Sequence, residues 1–297
     1  MQKIITVLIL ATFCNLVLGQ SNYEKFKKLS KDNDTTRIKS LLAEWEKSNP
    51  NDPELYTSGF NYYFSKSKQE IISIDKAKHG KESFQFTDST GKVAGYLSSD
   101  LGYNPDKLNK ALDYGNKGIE KFPNRLDLRF GKCYVLGEIA DYDNFTTEII
   151  KTVEYSNTIK NNWLWTENKK LDDAENFMLG AIQTYLRQLY DTEDDILLEN
   201  MIRIGDVTLK YYPNNIEILS TTAVASTLTK NYDKALIYLK QAEKLNPKDF
   251  IVLNNIARSY NLKGDKENAI KYYELTEKYG DEQAKQQARK EIKQLKK

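Results

Sequence analysis

Two consecutive blocks of 34 residues decide the fold: residues 216–249, IEILSTTAVASTLTKNYDKALIYLKQAEKLNPKD, and residues 250–283, FIVLNNIARSYNLKGDKENAIKYYELTEKYGDEQ. In the second block Leu253, Ile256, Ala257 and Tyr260 fall on one helical face, and Ala269 and Tyr273 on a second. Gly264-Asp265 makes the turn between them. In the first block Asn231-Tyr232-Asp233-Lys234 makes the turn, and Ala235, Leu239 and Ala242 lead to Pro247. A turn midway and a proline near the end describe a helix hairpin repeated at a fixed period.

Proline carries the pattern upstream. Pro50, Pro123, Pro213 and Pro247 each follow an amphipathic run with a Lys in its last turn. Asn, Asp or Arg comes next. Proline cannot continue a helix, a cation suits the negative end of the helix dipole, and Asn or Asp caps the helix that follows. With only six prolines in 297 residues, four such stops mark a repeat and argue against a loop-rich β sandwich.

The spacing of Leu253, Ala257, Tyr260, Ala269 and Tyr273 resembles the tetratricopeptide repeat family. Pro247 and Ala235 take the matching places one block earlier. The resemblance implies an all-α, right-handed α-solenoid of helix hairpins, in which small residues such as Ala257 and Ala269 let two helices cross closely. It predicts an array over residues 20–283, in units of about 19–52, 53–125, 126–159, 173–215, 216–249 and 250–283. A basic helix, 284–297, caps it. The general look is that of exported repeat proteins of Bacteroidetes-type bacteria, on the bacterial-style leader and the Asn/Lys/Tyr-rich composition.

Two stretches break the rhythm. Residues 65–105 predict a small β insertion, with extended segments at 70–74, 83–87 and 93–97 and a Gly-containing turn at 88–92. It is either a binding element or a cover for apolar surface. It contains the single histidine, His79. Residues 157–172 carry Trp163 and Trp165 in a polar linker. These are either exposed anchors for a peptide or sugar, or side chains docked beside the helix predicted at 174–190.

Residues 1–19 read as a secretory signal peptide: Lys3, an apolar run from Ile4 to Leu18, then Gly19. The run is short for a membrane span. Its removal takes Cys14 with it, predicts a periplasmic, cell-surface or secreted protein without a transmembrane span, and leaves Cys133 alone, a buried packing residue unable to pair internally.

Composition narrows function. One histidine excludes multi-His metal sites, and no metal or other cofactor is expected. No G-x-S-x-G, P-loop, H-E-x-x-H or CxxC is present, so nothing in the chain calls for an enzyme. Charge is nearly balanced, 44 Lys+Arg against 42 Asp+Glu, which with export argues against a nucleic-acid partner. Some tetratricopeptide domains grip a C-terminal carboxylate with Lys and Asn. The corresponding places here hold Tyr23, Lys27 and Ser58, and Ser220, Val224 and Asn255, so that clamp is missing. The inner helices instead offer Phe130, Tyr134, Val224, Leu228 and Arg258. Together with Trp163 and Trp165 these are the candidate contacts for a protein or peptide partner. The expectation is a non-catalytic scaffold or adaptor; the alternative is a glycan- or nutrient-binding accessory protein using the insertion and the tryptophan linker.

Overall fold

The computed structural model describes residues 20–78 and 82–297. The expected leader, with Cys14, and His79 lie outside them. Thirteen α-helices are present among the described residues. Twelve form hairpins: α1 Asn22–Lys31 with α2 Thr35–Ser48, α3 Pro53–Ser67 with α4 Pro105–Lys121, and α5 Leu126–Glu138 with α6 Tyr142–Thr158. Then come α7 Ala174–Tyr190 with α8 Leu197–Tyr211, α9 Ile216–Leu228 with α10 Tyr232–Leu245, and α11 Phe250–Lys263 with α12 Lys266–Tyr279. Helix α13, Glu282–Leu295, closes the stack on α12. The architecture is an α-solenoid of helix hairpins with a small β insertion.

Local chemistry sets the helix ends. Each of the four phased prolines stands two residues beyond a helix: Ser48 and Pro50, Lys121 and Pro123, Tyr211 and Pro213, Leu245 and Pro247. The other two, Pro53 and Pro105, begin α3 and α4, where a missing N–H costs nothing. Carboxylate and amide caps start most helices. Asp52 accepts from the Glu54 N–H, Asn215 from Ile218, Asn231 from Lys234 and Asp265 from Asn268. Gly264 ends α11 at φ 89°, a left-handed conformation that glycine adopts without strain.

Small residues set the closeness of the hairpins. A methyl on Gly118 of α4 would come within 2.8 Å of Tyr56 Cβ, and one on Gly59 of α3 within 2.5 Å of the Tyr114 ring. Ala257 and Ala269 are fully buried between α11 and α12. The aromatic-rich N-terminal core includes Trp45, Tyr56, Phe60, Tyr63 and Tyr114. A longer aliphatic core runs from Leu126 to Ile292. Helix α5 serves both, giving Leu128 and Val135 to the first and Phe130, Cys133 and Leu136 to the second.

Between α3 and α4 stands a three-stranded antiparallel sheet, β1 Lys68–Asp75, β2 Glu82–Thr87 and β3 Val93–Tyr103, in the order β1-β3-β2. The β2–β3 turn is held by Asp88, whose Oδ1 accepts from the Thr90 and Lys92 N–H groups. Between α6 and α7 a second, two-stranded hairpin pairs β4 Leu164–Trp165 with β5 Lys169–Lys170.

Candidate functional site

The first helices of the hairpins line two separate hollows. Helices α1, α3 and α5 line a cavity of about 490 Å3, and α7, α9 and α11 line a shallower groove of about 870 Å3. Helical spacing explains the first. Tyr23, Phe26, Lys27 and Ser30 recur on one face of α1, Thr57, Ser58 and Asn61 on α3, and Asp127, Phe130, Gly131 and Tyr134 on α5. Its walls are aromatic: Tyr23, Phe26, Phe60, Phe130, Tyr134 and, from the β4 strand, Trp165. Tyr134 is 52% exposed, while Phe130 is 9% exposed.

One buried polar atom in this lining is without a partner. Ser58 is 1% exposed, and its Oγ makes no hydrogen bond within the protein. A buried hydroxyl left in that state costs about 1–3 kcal/mol.

The β4–β5 hairpin closes one side of the cavity and is pinned by a buried ionic network. The Arg125 guanidinium is fully buried. It donates from Nε and Nη2 to the two Asp127 carboxylate oxygens at 2.9 and 2.7 Å, and from Nη1 to Glu54 Oε1 at 2.8 Å and Asn168 Oδ1 at 3.3 Å. Glu54 Oε1 also accepts the Glu167 N–H at 2.7 Å, and Asp127 Oδ2 accepts from Thr166 Oγ1 at 3.1 Å. Burial pulls the Arg125 pKa down, but the bonds to Asp127 and Glu54 outweigh it and hold the guanidinium above its ordinary value. Arg125 stands at the N-cap of α5 but makes no side-chain cap bond there. The Leu164 N–H completes the attachment by donating to the Asn124 carbonyl at 2.9 Å.

That attachment separates the two linker tryptophans. Trp163 is completely buried, its ring 5.8 Å from that of Tyr155 and beneath the Arg129 guanidinium. It belongs to the core and is closed to a partner, because the linker lies down along residues 124–125 and turns this side chain inward. A two-tryptophan sugar platform is thereby excluded. Trp165 is half-buried and edge-on to Phe177 at 5.3 Å, with Phe177 in turn 6.2 Å from Phe130.

The remaining candidates fall in two places. Phe130, Tyr134 and Trp165 share the N-terminal cavity. Val224, Leu228 and Arg258 line a narrow notch between α9 and α11 with Thr227 and Asn255, and Val224 also borders the longer groove. Tyr23, Lys27 and Ser58, which do not make a carboxylate clamp, line the N-terminal cavity. Phe26 and Asn61 complete the lining at i+3 from Tyr23 and Ser58, a spacing legible in the sequence, whereas Phe60, two residues from Ser58, carries no such signal. Cys133 is buried, which pushes its thiol pKa well above the ordinary range, as expected of a packing residue. Among the described residues no helix is long and apolar enough to cross a membrane.

Comparison with known proteins adds the family. The tetratricopeptide repeat is matched at residues 223–249 and 251–275, across α9–α10 and α11–α12. The chain carries tetratricopeptide repeats. The other helix pairs repeat the same hairpin without being matched. Among solved structures, YrrB, described as a TPR protein with an unusual peptide-binding site, is 14% identical, with 84% of this chain and 97% of that one covered and a TM-score of 0.40. The C-terminal part of a TPR repeat-containing protein from Cytophaga hutchinsonii is 13% identical over 86% and 78%, with a TM-score of 0.43. MamA is 14% identical over 61% and 87%, with a TM-score of 0.38. No curated protein matches this chain.

Proposed function

We propose that this tetratricopeptide-repeat protein is an exported, non-catalytic adaptor that takes a peptide or helix along the face formed by its first helices. The N-terminal cavity serves as the anchor. Tetratricopeptide repeats bind protein or peptide partners, and the observation that carries the reading here is the lining of that cavity. Six aromatic side chains from α1, α3, α5 and β4 line it, with the polar side chains of Thr57 and Asn61 among them. Such a site suits an apolar or aromatic side chain that also carries a hydrogen-bonding group, the arrangement of an interface hot spot. The groove along α7, α9 and α11 offers Thr184, Ser220, Thr221 and Asn255 beside Val224 and Ile251.

The test is a peptide library selected on the purified protein. Phe130→Ala and Tyr134→Ala each weaken selected peptides by about tenfold or more, while Ile237→Ala, exposed on a second helix away from both cavities, leaves them unchanged. Peptides indifferent to Phe130 and Tyr134 would remove the cavity from the mechanism. Export rests on the apolar run from Ile4 to Leu18, and an intact mass that begins at Met1 or Gln2 in the exporting host would sink it.

A further inference from the structure

Arg125 and Arg129 stand four residues apart at the start of α5, and both are buried, at 0% and 6% exposure. Only the first is fully paired. Arg129 donates from Nε to the Pro123 carbonyl at 2.9 Å and from Nη1 to Glu148 Oε1 at 3.3 Å. Among the described residues its Nη2 donates to no acceptor, and it is not one of the enclosed polar atoms, so it touches the accessible surface. The small accessible area of Arg129 lies on the wall of a hollow of about 470 Å3 formed by α4, α5 and α6. The Tyr155 ring, centred 4.8 Å from the guanidinium carbon, lines the same hollow and lies against the arginine. No residue of this hollow belongs to the aromatic cavity.

The buried charges of this wall do not cancel. Glu148, 3% exposed, is the one buried carboxylate in the lining, and it is shared: Oε1 takes Arg129 and Oε2 takes Lys132 Nζ at 2.9 Å. Two cations on one carboxylate leave a positive charge over. Burial pulls the Arg129 pKa below its ordinary value and Glu148 does not make up the difference, whereas Arg125, with two carboxylates, is held above it. The rim adds Lys151, Glu120 and Glu154, all exposed. None of them pairs with Arg129 or Lys132, and water and salt screen them. We propose that this hollow binds the carboxylate of a small acid or of a peptide side chain, held on Arg129 Nη2 with Lys132 beside it. The excess of a single charge matches a monoanion, and the planar N–H groups of a guanidinium match a flat carboxylate. Glu120 and Glu154 at the rim work against a phosphate dianion, whose second charge no buried group would offset.

Titration of the whole protein with acetate, and separately with a glutamate residue blocked at both ends, tests this by NMR of the Trp163 indole N–H. That ring lies 5.9 Å from the Arg129 guanidinium and reports what the guanidinium meets. The expected result is a saturable shift with a dissociation constant of about 1–10 mM, which chloride at the same ionic strength does not reproduce. Blocked glutamate binding tighter than acetate assigns the site to a peptide side chain, and the reverse order assigns it to a free acid. Two substitutions move the affinity in opposite directions. Lys132→Met returns Glu148 wholly to Arg129 and weakens acetate by about fivefold or more. Glu148→Gln keeps an acceptor for one bond but removes the compensating charge, and tightens acetate by a similar factor. General loosening of the fold would weaken binding in both, and Lys132→Met decides alone should Glu148→Gln not fold. No saturable shift up to about 100 mM, a chloride response equal to that of acetate, phosphate bound more tightly than acetate, or a Glu148→Gln variant that binds acetate more weakly overturns the proposal.

Discussion

Replacing Arg125 with methionine is expected to loosen the N-terminal half of the molecule by about 3–5 kcal/mol. The stem is similar in length, so little packing is lost. What disappears is the pairing of two carboxylates that stay buried, with side chains 8% exposed for Glu54 and 9% for Asp127. Glu54 keeps the Glu167 N–H and the Thr57 hydroxyl, and Asp127 keeps the Thr166 hydroxyl. Neutral donors alone do not replace a bidentate guanidinium. Urea denaturation followed by tryptophan fluorescence reads the loss, and tryptic cleavage after the exposed Lys169 and Lys170 reads release of the hairpin. One control ties the effect to charge. Adding Glu54→Gln and Asp127→Asn to the variant returns most of the stability, because no buried charge is left stranded. A loss under about 1 kcal/mol, the worth of an exposed ion pair, would refute the account of Arg125 as the pin of the hairpin.

Other outcomes follow from single sites. Gly205→Ala drives a methyl into the Thr222 hydroxyl, between α8 and α9, and is expected to cost about 1–3 kcal/mol by thermal melting. Cys133 should resist thiol reagents in the folded protein and react once it is unfolded, because burial keeps the thiolate from forming. The pKa of Asp265 is lowered by the Asn268 side chain and then by the Asn268 N–H. Its cap therefore supports α12 fully above the ordinary carboxylate value of 3.8 and fades as pH falls below it, which hydrogen exchange at Asn268 should report and Asp265→Ala should abolish.

The solenoid was legible because its signals are local. A proline stop, a cap and an alanine at a crossing each act within a few residues, and the fold class follows from their period. The β insertion was legible as a set of segments, and Gly91 at φ 82° sits in the expected turn. Its strand order was not: β3 lies between β1 and β2, and extended segments of similar composition do not announce which edges pair. The site was legible where helix faces recur, at Phe130 and Tyr134. It was hidden at Arg125, whose partners Glu54 and Asn168 lie 71 and 43 residues away in the chain. Trp163 and Trp165 are separated by one residue, yet one is core and one lines a cavity. Their local sequence is equally compatible with both fates, and only the docked backbone at Asn124 distinguishes them.

The bond between Glu54 and the Glu167 N–H spans 113 residues of chain. In an array where each repeat touches its neighbours, folding can proceed as the chain emerges, one hairpin at a time. Here α3 is made early and must hold its carboxylate in readiness until residue 167 exists. The N-terminal repeats therefore pass through a waiting state in which Glu54 and the aromatic wall of the cavity are open on one side. A chaperone arriving in that interval would meet the same surface that the finished protein offers to its partner.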